Sequence, residues 1–243
     1  MAVYKPYYRI YRPGLRRDMF NNPTSGYEHD ESFLPEAERK SMIKAVQLII
    51  DDFEQLFEYI EPHSSNENVF SHRIYELILR VCTEVESCCK GILMANGHVA
   101  NNMDDYKKIE QSSHLSGYSV HYSNWLPVKY VTQPFAYWST GSSLPWYKSY
   151  NDVKHNRWQN FHKASLKNLL DAISGLLCII YSQIGDGVQQ VFESNIYFAS
   201  NEAQVDVRSF TIIPFQTPDN EKYDFVWNDI RTDSDRFQSF KFI

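Results

Sequence analysis

The sequence predicts a mainly α-helical protein with a small β addition at its C-terminal end. Three apolar series keep the three-and-four spacing of a helix face, each long enough for one extended helix. Beyond residue 188 the pattern changes to short runs rich in β-branched and aromatic residues, broken by Pro214 and Pro218. With 243 residues, 43% of them hydrophobic, the chain can build one large core. The boundaries read as a basic, tyrosine-rich arm over 1–32, a helical core over 33–187 and a β appendage over 188–243 packed on that core.

The first helix is expected to open at Pro35, preceded by Ser32 or Phe33–Leu34. Proline suits a first helical turn, and Glu36 and Glu38 suit its positive end. Its stripe is Met42, Val46, Ile49, Ile50, Phe53, Leu56, Phe57 and Ile60, and Pro62 stops it. The second helix covers about 69–95, with Ile74, Leu77, Ile78, Val81, Val85, Cys88 and Ile92 on one face and Asn96–Gly97 as its stop. A shorter helix follows over about 102–111. Residues 113–145 hold one charged residue, Lys129, and alternate apolar with polar around Val128–Trp138, so extended structure is expected there. An aromatic, uncharged insert of this length should pack over the helices or line a pocket. Two more helices are expected, over 145–157 and 160–184. The last has the stripe Leu166, Leu169, Leu170, Ile173, Leu176, Leu177 and Ile180, and Gly185–Gly187 ends it. In the tail, strands are expected over 205–215 and 223–227.

Composition excludes several classes. No run of about 18 apolar residues exists, so no transmembrane helix is expected. The opening MAVYKPYYRIYRPGLRR lacks the apolar stretch of a signal peptide, which points to a cytoplasmic location. Cys82, Cys88, Cys89 and Cys178 lie in helical stripes without CxxC spacing and read as buried free thiols. No HxxxH or HExxH occurs, so no metal site is expected, and no GxxxxGK[ST] occurs, so no P-loop is expected. No cofactor is implied. Asp51, Asp52 and Glu54 read as a solvated helix face, and His114 and His121 as loop residues able to line a pocket with the insert.

Charge is unevenly distributed. The net charge is −6, yet Lys5, Arg9, Arg12, Arg16 and Arg17 give residues 1–17 a charge of +5, leaving −11 on the rest. With Tyr4, Tyr7, Tyr8 and Tyr11 among them, this arm could hold RNA by charge and stacking. It could equally dock on its own acidic body or on a partner subunit.

A second basic segment carries the chemistry. Residues 148–167 hold Lys148, Lys154, Arg157, Lys163 and Lys167 against Asp152 alone, with His155 and His162 among them. On one continuous helix, Asn151, His155, Trp158 and His162 fall within about 60° of one another, whereas Arg157 lies roughly 140° from His162. A kink or the length of the arginine is needed to join those two. Such a set fits RNA cleavage by the 2′-hydroxyl. A base takes the 2′ proton, an acid protonates the leaving oxygen and a cation holds charge on the phosphorane. Histidine suits the proton transfers and arginine the phosphate, with no metal required. The residues equally suit a structural role, Lys154, His155 and Arg157 at a helix end and His162 bonded to backbone.

Arg157-Trp-Gln-Asn-Phe-His162 resembles the R-x4-6-H motif of HEPN domains. YNDVKHNR before it, ASLKNLLDAISGLL after it and ELILRVCTEVESCCKGIL in the second helix are similar to HEPN helices, so the resemblance spans about residues 35–185 without the insert. It implies an antiparallel helical bundle, usually a homodimer, in which Arg157 and His162 of two protomers form a metal-independent endoribonuclease site. It further implies RNA as substrate. The segment around the motif offers Tyr150, Asn151, Lys154, His155 and Trp158 as candidate binding residues, a set drawn from the helical face and its surroundings and not from the motif. Toxin–antitoxin or anti-phage defence systems, with an antitoxin or operon partner, are the expected context. Family members also include non-catalytic RNA- or nucleotide-binding modules and scaffolds. The residue after the motif arginine is commonly polar in the family and is Trp158 here.

Overall fold

Helix α1 (Glu36–Gln55) starts directly after Pro35, without a side-chain cap, and its first turn carries Glu36 and Glu38. Its buried face is Met42, Ile43, Val46, Ile49, Ile50 and Phe53, which matches the first part of the expected stripe; Leu56, Phe57 and Ile60 lie past its end, Leu56 and Phe57 in a 3₁₀ turn. The structure, a computed structural model, describes residues 3–15, 34–185, 196–199 and 202–243. Arg16, Arg17, His29, Ser32, Phe33, Gly187 and the start of the C-terminal β segment lie outside the described residues. Helix α2 (His72–Ala95) starts at Ser71, whose hydroxyl accepts from the Ile74 amide, and stops at Asn96, followed by Gly97 at φ 80°. The third expected helix is two short pieces, α3 (Met103–Tyr106), capped by Asn102, and α4 (Glu110–Ser113), joined by a 3₁₀ turn.

Helix α5 (Pro145–His155) and helix α7 (Leu166–Ile184) complete the bundle. Directions follow from contacts near the helix ends. An Arg80–Asp52 ion pair and the Cys88 Sγ–Met42 Sδ contact at 3.8 Å set α1 antiparallel to α2. Tyr147 on Glu86, together with Arg157 against Tyr75, sets α5 antiparallel to α2. The Phe70–Ser165 bridge at one end and Cys88 beside Gln183 at the other make α2 and α7 parallel. Successive long helices thus alternate in direction, as an antiparallel bundle requires, yet the central pair runs the same way because α5 carries the chain back. Nearly every residue of α7 is buried, which an amphipathic stripe understates. Gly175 lets α5 come close. A Cβ there would sit 3.1 Å from the Trp146 ring.

The insert and the tail form one sheet. Strands β1 (Ser119–Tyr122) and β2 (Tyr130–Thr132) come from the insert. Strands β3 (Ile196–Ala199), β4 (Glu202–Val207) and β5 (Phe210–Ile213) come from the tail. The order is β2-β1-β5-β4-β3, antiparallel throughout, with Val120 opposite Ile212 and Ile212 opposite Val205. The β addition is therefore fastened to the helical core through the insert. Alternate residues of β1 and β5 point inward, and Phe53 of α1 meets Tyr122 at 5.6 Å and Phe210 at 5.7 Å between ring centres. The expected strand over 205–215 is really the β4–β5 hairpin, turned at Arg208 with φ 53°. That arginine pairs with Asp51 and Glu54, so the acidic face of α1 is an anchor and not merely solvated. The expected strand over 223–227 is not one. Tyr223 makes isolated bridges to Val3 and Gly14, and α8 (Trp227–Ile230) follows.

Those bridges reflect the N-terminal arm lying on the body. Arg9 is 8% exposed and donates to Glu38 at 2.6 Å and to Gln183 at 3.0 Å. Arg12 is 5% exposed and pairs with Glu221, and Lys5 pairs with Asp235 at 2.7 Å. Tyr7, Tyr8 and Tyr11 pack on Phe240, Phe237 and Tyr181. Gly185, at φ 49°, gives Tyr11 its seat, since a Cβ there would fall 2.1 Å from the ring. Of the three uses the arm could have, the described part docks on its own acidic body. All four cysteines are buried and free, and burial pushes Cys88 up to about 11. Among the described residues, no helix is long and apolar enough to cross a membrane.

Candidate functional site

The basic segment is not one helix. Asn156, at φ −145° and ψ 74°, ends α5 and caps the single turn α6 (Arg157–Asn160), with its side-chain oxygen 3.4 Å from the Gln159 amide. Asn160 then leaves helical geometry at φ −110°, ψ 8°, and a 3₁₀ turn over Phe161–Lys163 leads to Ser165, the cap of α7. Asparagine does this well because its amide competes for backbone partners that a helix would use. Asn160 Nδ2 donates to the Asp152 carbonyl at 3.2 Å and to the Asn156 carbonyl at 3.1 Å. Lys163 pairs with Asp152 at 2.7 Å, and Asn168 donates to the Lys163 carbonyl at 2.9 Å. The helix therefore breaks twice, at Asn156 between His155 and Arg157 and at Asn160 between Arg157 and His162, the second being the kink that the wheel geometry required.

The break sorts the expected site residues into two groups. On one side, Asn151 and Lys154 line a cleft of about 390 Å³ between α5, α2 and the start of α3, together with Glu86, Lys90 and Tyr147. Tyr150 is 2% exposed beneath it and accepts a hydrogen bond from Lys154 Nζ at 2.9 Å, so its ring belongs to the core. Tyr147 donates to Glu86 at 2.8 Å. Burial, then the Glu86 carboxylate, pushes the Tyr147 phenol far up, and burial also raises Tyr150. The Tyr150 hydroxyl raises Lys154, which therefore stays cationic.

On the other side, His155, Arg157, Trp158 and His162 are exposed. The Arg157 guanidinium lies 5.6 Å from the centre of the Tyr75 ring on α2. Phe161 packs beside it on Phe70, His72 and Tyr75. Trp158 is 95% exposed. His162 makes no hydrogen bond or ion pair among the described residues, so the expected backbone bond is not formed. Lys154 and His155 do occupy the last turn of α5, where cations are favoured. Arg157 on α6 and His162 on the 3₁₀ turn that follows both face solvent, and among the described residues no contact joins their side chains.

Sequence reasoning missed Tyr75 and Phe161 as the seat of this turn, and Asp152 as the partner that removes Lys163 from the free cations. The asparagines at 156 and 160 were the available signal, being cap and turn formers inside an otherwise helical stretch. His114 proves structural. Its Nε2 lies 2.8 Å from Glu221, and its ring stacks on Phe215. His121 lies beside Lys129, and burial followed by that ammonium lowers it. Among the described residues, no cluster of His, Cys, Asp and Glu could hold a metal ion. No family model, curated protein or solved structure matches the chain.

Proposed function

We propose that the chain is a metal-independent endoribonuclease of the HEPN type, with Arg157 and His162 at its centre. The observation that carries this reading is the pair of breaks at Asn156 and Asn160, which leaves the two motif residues exposed on successive short turns held against α2 through Tyr75 and Phe161. Arg157 would grip the scissile phosphate through its fork of donors. His162 would take or give the proton, a role its chemistry suits near neutral pH. Cleavage by the 2′-hydroxyl needs both a base and an acid, and each chain offers one motif histidine, so a homodimer with two such turns across one cleft completes the set. The motif's family supports a toxin–antitoxin or anti-phage setting, with an antitoxin or operon partner.

The test is cleavage of RNA by purified protein in excess chelator. Cutting is expected to persist without divalent metal and to vanish in Arg157→Ala and His162→Ala while both variants stay folded. Full activity in both variants sinks the reading.

One observation favours a second reading, a non-catalytic RNA-binding or scaffold module. Catalytic histidines are held in one orientation by a hydrogen-bond partner, and His162 has none among the described residues. Stable RNA or protein binding with no cutting under any condition would select it.

A further inference from the structure

We infer that Trp158 is a stacking platform for an unpaired base, and that the strand held beside Arg157 and His162 is single-stranded RNA. The inference rests on reading this turn as an RNA site. Trp158 stands out first by exposure. Trp125, Trp138 and Trp146 are buried and Trp227 is half-buried, whereas Trp158 presents 95% of its surface to solvent. An indole left in water keeps its large apolar face and its ring N–H free for a partner, and set on a well-held element among cations it is available as a contact surface.

The element is well held. Asn156 Nδ2 donates to Gln159 Oε1 at 2.9 Å, Asn160 ties the turn back to the end of α5, and the Phe161 ring is wedged against Phe70, His72 and Tyr75. The indole is thus offered on a fixed support, which lowers the ordering cost of binding.

Its surroundings select the partner. His155, Arg157 and His162 are exposed around it in sequence, Lys154 lies at the end of α5 in the cleft with Glu86, and the acid within the segment, Asp152, is taken by Lys163. An apolar protein surface would cover the ring but leave those cations desolvated and unpaired, at a cost. A polyanion bearing flat rings satisfies both features at once. Phosphates meet the cations while a base lies on the indole. A base inside a duplex is already stacked on its neighbours and cannot reach the ring, so the geometry requires a loop or a single strand.

The experiment titrates the full chain with a short 2′-O-methylated oligoribonucleotide, which lacks the free hydroxyl needed for cleavage, and with its duplex, while tryptophan emission is followed. The single strand is expected to quench the red, solvent-exposed component. Its affinity should fall about tenfold or more in Trp158→Ala, the scale of one stacked base, and be largely kept in Trp158→Phe. Duplex should bind more weakly without quenching. Unchanged single-strand affinity in Trp158→Ala overturns the inference, as does equal quenching by duplex, or no binding of either probe. So does an emission that is already blue-shifted in the free protein and reddens on dilution, which would mean that a second copy covers the ring. Cleavage of unmodified RNA separates this from the nuclease reading. Quenching without cutting in the native protein removes the nuclease and leaves the platform. Cutting that survives Trp158→Ala at full affinity removes the platform and leaves the nuclease.

Discussion

Residues 3–15 and residues 154–167 look alike as sequence, both basic and rich in aromatic residues, yet the molecule uses them in opposite ways. In the arm, Lys5, Arg9 and Arg12 each have a carboxylate, and Tyr7, Tyr8 and Tyr11 pack on rings of the body. From the end of α5 onward, Lys163 takes Asp152, and Lys154, His155, Arg157, Trp158 and His162 face water. What separates them is the position of acids brought from elsewhere in the chain. Glu38, Glu221 and Asp235 are far from the arm in sequence and meet it only after folding.

If that contrast is right, changes in the arm alter stability and spare RNA handling, and changes in the turn do the reverse. The largest effect is expected from His162→Ala, a loss of about 10²–10⁴-fold in RNA cleavage, the usual worth of a proton-transfer group, measured on a labelled oligonucleotide. Its thermal midpoint should stay unchanged, because the side chain is exposed and makes no bond among the described residues. A large drop in that midpoint would break the comparison from one side. Arg9→Ala tests the other side. It leaves Gln183, fully buried, without its donor and removes the pair with Glu38, so a loss of about 2–3 kcal/mol is expected in denaturant unfolding. RNA affinity should not move.

Asp171 offers a control that belongs to neither segment. It accepts from Tyr130 at 2.9 Å and Thr132 at 2.7 Å and ties β2 to α7. Asp171→Ala is expected to cost about 1–3 kcal/mol. Burial raises its carboxyl above the ordinary 3.8, outweighing the bonds from Thr132 and Tyr130, so the folded state favours the protonated form. The stability this gives is present below pH 3.8 and is lost as pH rises through the raised value. Relative to Asp171→Asn, which keeps the accepting oxygen, the native protein should therefore weaken with rising pH across that window, as read from unfolding midpoints at several pH values.

Smaller effects sharpen the contrast. Lys154→Ala and Lys167→Ala should each make the salt dependence of single-strand binding shallower by about 0.7 in log–log slope, the share of one phosphate contact. Both side chains are exposed and hydrogen-bond tyrosine hydroxyls, and neither forms an ion pair among the described residues. Arg12→Ala should leave that slope alone. Lys5→Ala, at an exposed pair with Asp235, should change stability by less than about 0.5 kcal/mol and binding not at all.

The sequence by itself determined the long helices, because α1 and α2 each bury a periodic stripe whose spacing is a local property of the chain. It also marked the exposed segment that carries Arg157 and His162, since the two are close in sequence. Tertiary structure decided which charges are free, because Glu38 and Asp235 reach the arm only through the fold. It decided that the insert and the tail share one sheet, since pairing of Val120 with Ile212 joins residues far apart in the chain and leaves no local mark. It decided, finally, that α2 and α7 lie parallel, which depends on how α5 returns the chain and not on the residues of either helix.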